Sequence, residues 1–136
     1  IKHKARAMVF SAALPPPAVA TVLKCLEIIR TEPERRRTLL ANARRMKEGL
    51  EGLGFNVGET ETPVVPVVIG QEEACFVFWK TLFEGGAFTN PVVSPATPPG
   101  RALIRVSCMA THTPEILDRA LEIFRQAGRS TGILAR

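Results

Sequence analysis

The sequence has few of the residues that build metal centres or disulfide frameworks. Its 136 residues include three cysteines, two histidines, one tryptophan and no tyrosine. Cys25, Cys75 and Cys108 lie far apart, and an odd count without a C-x-x-C spacing argues against a disulfide framework or a zinc site. We therefore expect no metal, three buried thiols and a reducing, cytoplasmic location.

Long apolar runs are also absent. No run approaches the ~20 residues that a bilayer span needs, so we expect no integral membrane segment. The start lacks the basic-then-apolar pattern of a secretion signal. The composition is 46% apolar with a net charge of +5, which excludes an extended disordered tail and suffices for one domain with a core. Because the sequence opens at Ile1 without a Met, we expect a piece of something longer.

Apolar spacing and breaker residues predict the elements. We expect an extended arm over residues 1–14 and a single α/β domain over 15–136. Prolines suit a first helical turn, and glycines end helices. The pattern predicts helices over 15–31, 34–50, 72–84 and 113–128, and strands over 63–69, 87–93 and 102–109. We expect Gly128 to end the last helix and the chain to fray after it.

The order of these elements indicates the fold class. It reads α-α-β-α-β-β-α, which predicts an α/β (α+β) fold with a small mixed or antiparallel sheet of about three strands. We expect the helices mainly on one face of the sheet. Pro63 and Pro66 confine the first strand to an edge or its ends, because proline lacks the N–H that a central strand donates.

Most catalytic constellations are missing. Neither His3 nor His112 lies near a nucleophile turn, and a structural role is favoured for His112 because loop histidines usually satisfy local hydrogen bonds. Gly52, Gly54 and Gly58 follow a helix rather than a strand, so no phosphate-binding loop is indicated.

The helix over 34–50 has a basic face, which leaves two interpretations. Glutamates interrupt its arginines and aromatic residues are absent, so a solvated helix face is favoured. The alternative is a free-standing interaction or nucleic-acid-binding module that uses this helix, which a salt-dependent gel shift would reveal.

Arg105 is the most informative charged residue. Side chains alternate across a strand, so Leu103, Arg105 and Ser107 share one face of the strand over 102–109. Arginine is almost never buried unpaired. Arg105 therefore either ends on solvent or an internal carboxylate, or presents a guanidinium fork to a carboxylate ligand. The residues alone favour neither of these two roles of Arg105.

Three stretches resemble the C-terminal domain of the α-oxoamine synthases. These are fold-type-I pyridoxal-phosphate (PLP) enzymes that include 8-amino-7-oxononanoate synthase, glycine C-acetyltransferase and serine palmitoyltransferase. The stretches are residues 10–16 (FSAALPP), 62–67 (TPVVPV), and 90–100 (NPVVSPATPPG) running into 104–107 (IRVS) and 110–113 (ATHT). The last is the most specific, because the Pro-rich loop, the strand arginine and the helix start recur together in that family.

The resemblance implies a reaction and two site residues. Family members condense an amino acid with an acyl-CoA or other acyl thioester, with PLP as the electron sink, and act as homodimers. Arg105 matches the arginine that binds the substrate carboxylate, which favours the ligand-binding alternative. Ser11 matches a hydroxyl near the cofactor phosphate of the partner subunit. Ala96 and Val93 depart from a threonine and a second arginine of some members, which leaves a serine-palmitoyltransferase-like or uncharacterised branch open.

The resemblance also implies that the catalytic residues lie in a large PLP-binding domain that this chain lacks. Its five lysines, Lys2, Lys4, Lys24, Lys47 and Lys80, have no Ser/Thr-rich Schiff-base context. We therefore predict that the isolated chain has no synthase activity and binds no PLP stably. Incubation with PLP and borohydride should trap no cofactor on a lysine, and a single labelled lysine would contradict the prediction.

Overall fold

The computed structural model describes Lys4, Arg6 and residues 14–134. The proposed site residue Ser11 and most of the predicted arm lie outside these residues. The chain divides into two compact units, Ile1–Glu34 and Arg35–Arg136. The expected division at residue 14 stays a prediction.

The first unit contains helix α1, Pro16–Thr31. Pro15 stands before its first turn, where no N–H donor is needed, as the sequence predicted. None of its residues is buried, and its apolar stripe includes Leu23, which is 62% exposed. Cys25 on this helix is exposed, so the expectation of three buried thiols is wrong for one of them. Cys75 and Cys108 are buried, and burial raises the pKa of both thiols.

Helix α2 spans Pro33–Gly52 and carries the predicted amphipathic pattern. Ala43, Met46 and Leu50 are buried. Beyond the helix the Phe55 N–H donates to the Leu50 carbonyl over 3.1 Å. Gly54 has a φ of +95°, a left-handed conformation that favours glycine and turns the chain back.

Three antiparallel strands form one sheet in the order β1-β3-β2. Their bounds are Val64–Gly70 for β1, Asn90–Val92 for β2 and Ala102–Ser107 for β3. On one face, Val65 and Val67 of β1 pair with Val106 and Ile104 of β3, and all four side chains are buried. The α/β fold class and the edge position of the proline-containing strand are confirmed.

Two helices complete the core. Helix α3, Glu72–Glu84, packs against all three strands and against helix α4, Pro114–Ser130. The rings of Phe55, Phe78 and Phe124 meet at centroid distances of 5.7 to 5.9 Å. The Thr113 hydroxyl caps α4 by accepting from a backbone N–H, as predicted. Within the described residues, no helix has both the length and the apolarity to cross a membrane.

The second strand is shorter than the predicted 87–93. The end of α3 takes up its first residues, because the Ala87 N–H donates to the Leu82 carbonyl over 2.8 Å and Gly86 has a φ of +94°. At the other end the Val93 carbonyl accepts from the Ala96 N–H, which begins a turn. Only Asn90–Val92 remains for the sheet.

The predicted ends of the last two elements also need correction. Strand β3 stops at Ser107 rather than residue 109, since the Met109 N–H donates to the His112 ring. Gly128 does not end α4 and the chain does not fray there. A Cβ on Gly128 would lie 2.7 Å from Leu134, which folds back and is buried. Glycine is therefore required at this position for close packing.

The aromatic cluster gives a stability prediction. Phe78 is 0% exposed, so Phe78→Ala should cost about 3–5 kcal/mol of unfolding free energy through lost burial and a cavity. Phe76 on the same helix is 46% exposed, and Phe76→Ala should cost less than about 1 kcal/mol. Urea unfolding of both variants measures the difference. Equal losses would contradict the assigned core.

Candidate functional site

Arg105 lies on the open face of the sheet. It stands in the central strand β3, between two residues, Ile104 and Val106, whose side chains enter the core. Strand alternation therefore directs the guanidinium away from the core. The side chains of Arg105 and Ser107 are both exposed.

Strand pairing sets the neighbours of Arg105. Its backbone is opposite Pro66 on β1 and opposite Asn90 on β2. Its Nη2 donates to Asn90 Oδ1 over 3.4 Å. Within residues 14–134, no carboxylate pairs with it at 4 Å or less. An internal carboxylate partner is therefore not found, and most of the five donors of the guanidinium stay available to a ligand.

The Pro-rich loop that follows β2 is held from two sides. The Ser94 N–H donates to Glu72 Oε1 at the start of α3 over 3.2 Å. The Val93 carbonyl accepts from both the Ala96 and Thr97 N–H groups. The loop then returns directly into β3, so it lies next along the chain to the strand that carries Arg105.

The turn after β3 is held by a buried amide. Asn42 on α2 is 9% exposed, and its Nδ2 donates to the carbonyls of Met109 at 3.0 Å and His112 at 2.8 Å. The His112 Nδ1 accepts from the Met109 N–H, so Nδ1 carries no proton and a neutral ring has its proton on Nε2. The favoured structural role of His112 agrees with this local bond.

Among the described residues, Lys24, Lys47 and Lys80 lie on helices α1, α2 and α3, and each has a glutamate of its own helix within 4 Å. In the same part of the chain no cluster of three metal-ligating side chains occurs.

The basic face of α2 is mostly exposed, and part of it has structural partners. Arg45 donates from Nε and Nη2 to Asp118 on α4, with the shortest distance 2.7 Å. Lys47 lies 3.9 Å from Glu51 one turn on. These contacts fit the solvated, ion-paired helix face that the sequence favours.

Sequence reasoning missed two residues. Asn90 was not recognised because its contact with Arg105 depends on the β2–β3 register, although an asparagine before a proline at a strand start was visible. Asn42 was not recognised because its two acceptors lie 67 and 70 residues away. A single polar residue inside an apolar helix stripe is the signal that could have found it.

Comparison with known proteins identifies similar chains. The family model for aminotransferase class I and II matches residues 1–124. The chain is 40% identical over 134 residues to the 8-amino-7-oxononanoate synthase of Treponema denticola, covering 98% of this chain and 34% of that protein. It is 45% identical over 131 residues to the serine palmitoyltransferase of Sphingobacterium spiritivorum, covering 93% and 33%.

The fold of this chain is also similar to that of solved structures with related sequences. A structure of SPT with PLP internal aldimine superposes with a TM-score of 0.87 at 35% identity, covering 98% of this chain and 34% of that one. The resemblance to the α-oxoamine synthase group is confirmed. The chain spans about a third of the length of the relatives it matches.

Asn42 supports a second stability prediction. Asn42→Ala removes both amide bonds and leaves the His112 carbonyl short of a donor, while the Met109 carbonyl keeps the His112 N–H, so it should cost about 1–3 kcal/mol. The exposed Asn56 offers the matched change, and Asn56→Ala should stay within about 0.5 kcal/mol. Thermal unfolding compares the two. A neutral Asn42→Ala would mean that the turn does not depend on the amide.

Proposed function

Because the chain belongs to the aminotransferase class I and II family, we propose that it is the C-terminal small domain of a PLP-dependent acyltransferase of the α-oxoamine synthase type. The whole protein would condense an amino acid with an acyl-CoA or another acyl thioester. The relatives that match nearly the whole chain are named as synthases and palmitoyltransferases of this type, and the chain corresponds to about a third of each.

The observation that carries the proposal is the open guanidinium of Arg105. Its side chain is exposed, it has one side-chain contact at 3.4 Å, and a rigid central strand fixes its position. A planar fork of N–H donors matches a carboxylate in two parallel hydrogen bonds. Arg105 would bind the carboxylate of the amino-acid substrate.

Arg105 would act by binding and orientation. A carboxylate held at two oxygens leaves the rest of the amino acid little freedom to rotate, which is the entropic advantage of a positioned substrate. Asn90 accepts from the same guanidinium and would hold the fork while the carboxylate is absent. PLP, held by the rest of the protein, would supply the electron sink. The chain itself would contribute no Schiff-base lysine.

The rest of the protein would cover apolar surface that this chain exposes. Val22, Leu23 and Leu26 on α1 are each at least half exposed. A stripe of this kind on a helix normally faces another element. Its own large PLP domain and a second subunit are the proposed partners. Ser11 would approach the cofactor phosphate of that second subunit.

Two sequence differences bear on the branch of the α-oxoamine synthase family to which the whole protein would belong. Val93 and Ala96 replace the second arginine and the threonine that some family members carry, and Val93 is partly buried against the core. With one arginine, the site would rely on Arg105 to donate hydrogen bonds to the substrate carboxylate. A serine-palmitoyltransferase-like acyl transfer in the cytoplasm fits these residues and the 45% identity to a serine palmitoyltransferase.

Substitution of Arg105 in the full-length enzyme tests the proposal. Arg105→Ala removes charged hydrogen bonds of about 1.5–3 kcal/mol, so the amino-acid KM should rise roughly 10–100-fold. Arg105→Lys keeps the charge but loses the fork, and should fall between wild type and Arg105→Ala. Steady-state kinetics with the amino acid varied at a saturating thioester concentration gives both constants.

Arg101 provides the control. It is an exposed arginine on the loop before β3, and Arg101→Gln should leave the amino-acid KM within about twofold. An unchanged KM and turnover in Arg105→Ala would remove Arg105 from substrate binding. A loss of folded protein in Arg105→Ala, seen by circular dichroism, would instead assign it a structural role.

A further inference from the structure

A pocket of about 380 Å³ lies between helix α4, the end of strand β3 and residues 86–89, which precede β2. Its volume lies within the range of roughly 300–1,000 Å³ that small-molecule sites occupy. Val106 lines it from the sheet face opposite to Arg105, and Ser107 lines it from the end of β3. Arg105 itself does not line the pocket.

The floor of this pocket is apolar. Its side chains come from α2, β3 and α4, and include Met46, Val106, Leu117, Ala120, Ile123 and Phe124. The apolar surface continues to the mouth, where Phe88 is 81% exposed and Ile116 is 50% exposed. Such a surface favours an apolar ligand tail, because its burial releases water from both partners.

The polar side chains of the lining include Thr89, Ser107, His112 and Arg119. Arg119 and His112 line the pocket, and no carboxylate does so in the part of the chain that the structure describes. The His112 Nδ1 is occupied by the Met109 N–H, so the ring presents its Nε2–H. The Thr89 hydroxyl in the wall is buried and has no hydrogen-bond partner within the described residues.

The charge of Arg119 is not compensated by the acids of its own helix. Arg119 forms no ion pair within residues 14–134. Two acids of α4 have other partners: Asp118 pairs with Arg45, and Glu122 with Arg125 and Gln126. The pocket therefore combines an apolar floor with an available cation.

We propose that this pocket binds an amphipathic monocarboxylate, with its apolar tail on the floor and its carboxylate on Arg119 and His112. A guanidinium and an imidazole N–H donate hydrogen bonds that a carboxylate accepts on two charged oxygens. An alcohol offers one neutral acceptor oxygen, and an ammonium group offers none. The class of ligand is that of a medium-chain fatty acid. The proposal does not rest on the proposed acyl transfer.

Titration of the full-length protein with octanoate tests the proposal. Isothermal titration calorimetry should detect octanoate, whereas octan-1-ol and octylammonium, with the same tail, should bind at least about tenfold more weakly. Octanol binding equal to octanoate would overturn the assignment of a carboxylate. An absence of octanoate binding at millimolar concentration would overturn the site.

Three variants locate the octanoate. Arg119→Gln should weaken binding about tenfold. Arg129→Gln removes the same charge from the exposed C-terminal end of α4 and should leave it unchanged. Octanoate should still bind to Arg105→Gln. Loss of binding in Arg105→Gln, or an equal loss in Arg119→Gln and Arg129→Gln, would place octanoate elsewhere and contradict the proposal.

Discussion

The burial of one face of a three-stranded sheet is the constraint on which the other features depend. Val65, Val67, Ile104 and Val106 are buried together, and each apolar side chain of this size contributes roughly 1.5–3 kcal/mol when buried. A slip of one residue would send these side chains to the other face, so the register is strongly held. The same alternation puts Arg105 on the open face. A binding arginine is thus positioned by the packing of its neighbours.

Helix α3 connects this sheet to the rest of the core. It packs against every strand, and its Phe78 meets Phe55 and Phe124, so that one aromatic cluster joins the loop after α2 to α4. The need for glycine at one position of α4 follows from this close packing. Gly128 lies where a Cβ would collide with Leu134 and Phe55, and close packing leaves no room to relax the contact.

The molecule leaves polar and apolar surface open in different places. The open sheet face carries Arg105, and α1 exposes an apolar stripe that includes Leu23. Both surfaces lie on a chain that spans about a third of the length of the relatives it matches. The pocket beside Arg119 differs from both surfaces, since its floor belongs to the core of this chain.

The sequence determined the elements whose signals are local. Prolines, glycines and apolar spacing predicted α3 over 72–84 as it is found, the end of α1 at Thr31 and the N-cap Thr113, and strand alternation predicted the face that Arg105 shares with Ser107. The family could be recognised because the loop and strand motif of residues 90–107 is contiguous.

Tertiary structure decided what depends on partners distant along the chain. It placed Asn90 beside Arg105 through strand register, put Asn42 under the turn at His112, shortened β2 and carried α4 past Gly128. It also separated exposed Cys25 from the two buried thiols. Local patterns record the periodicity of one element, whereas these contacts arise when two elements meet, and only the packed core determines which elements do so.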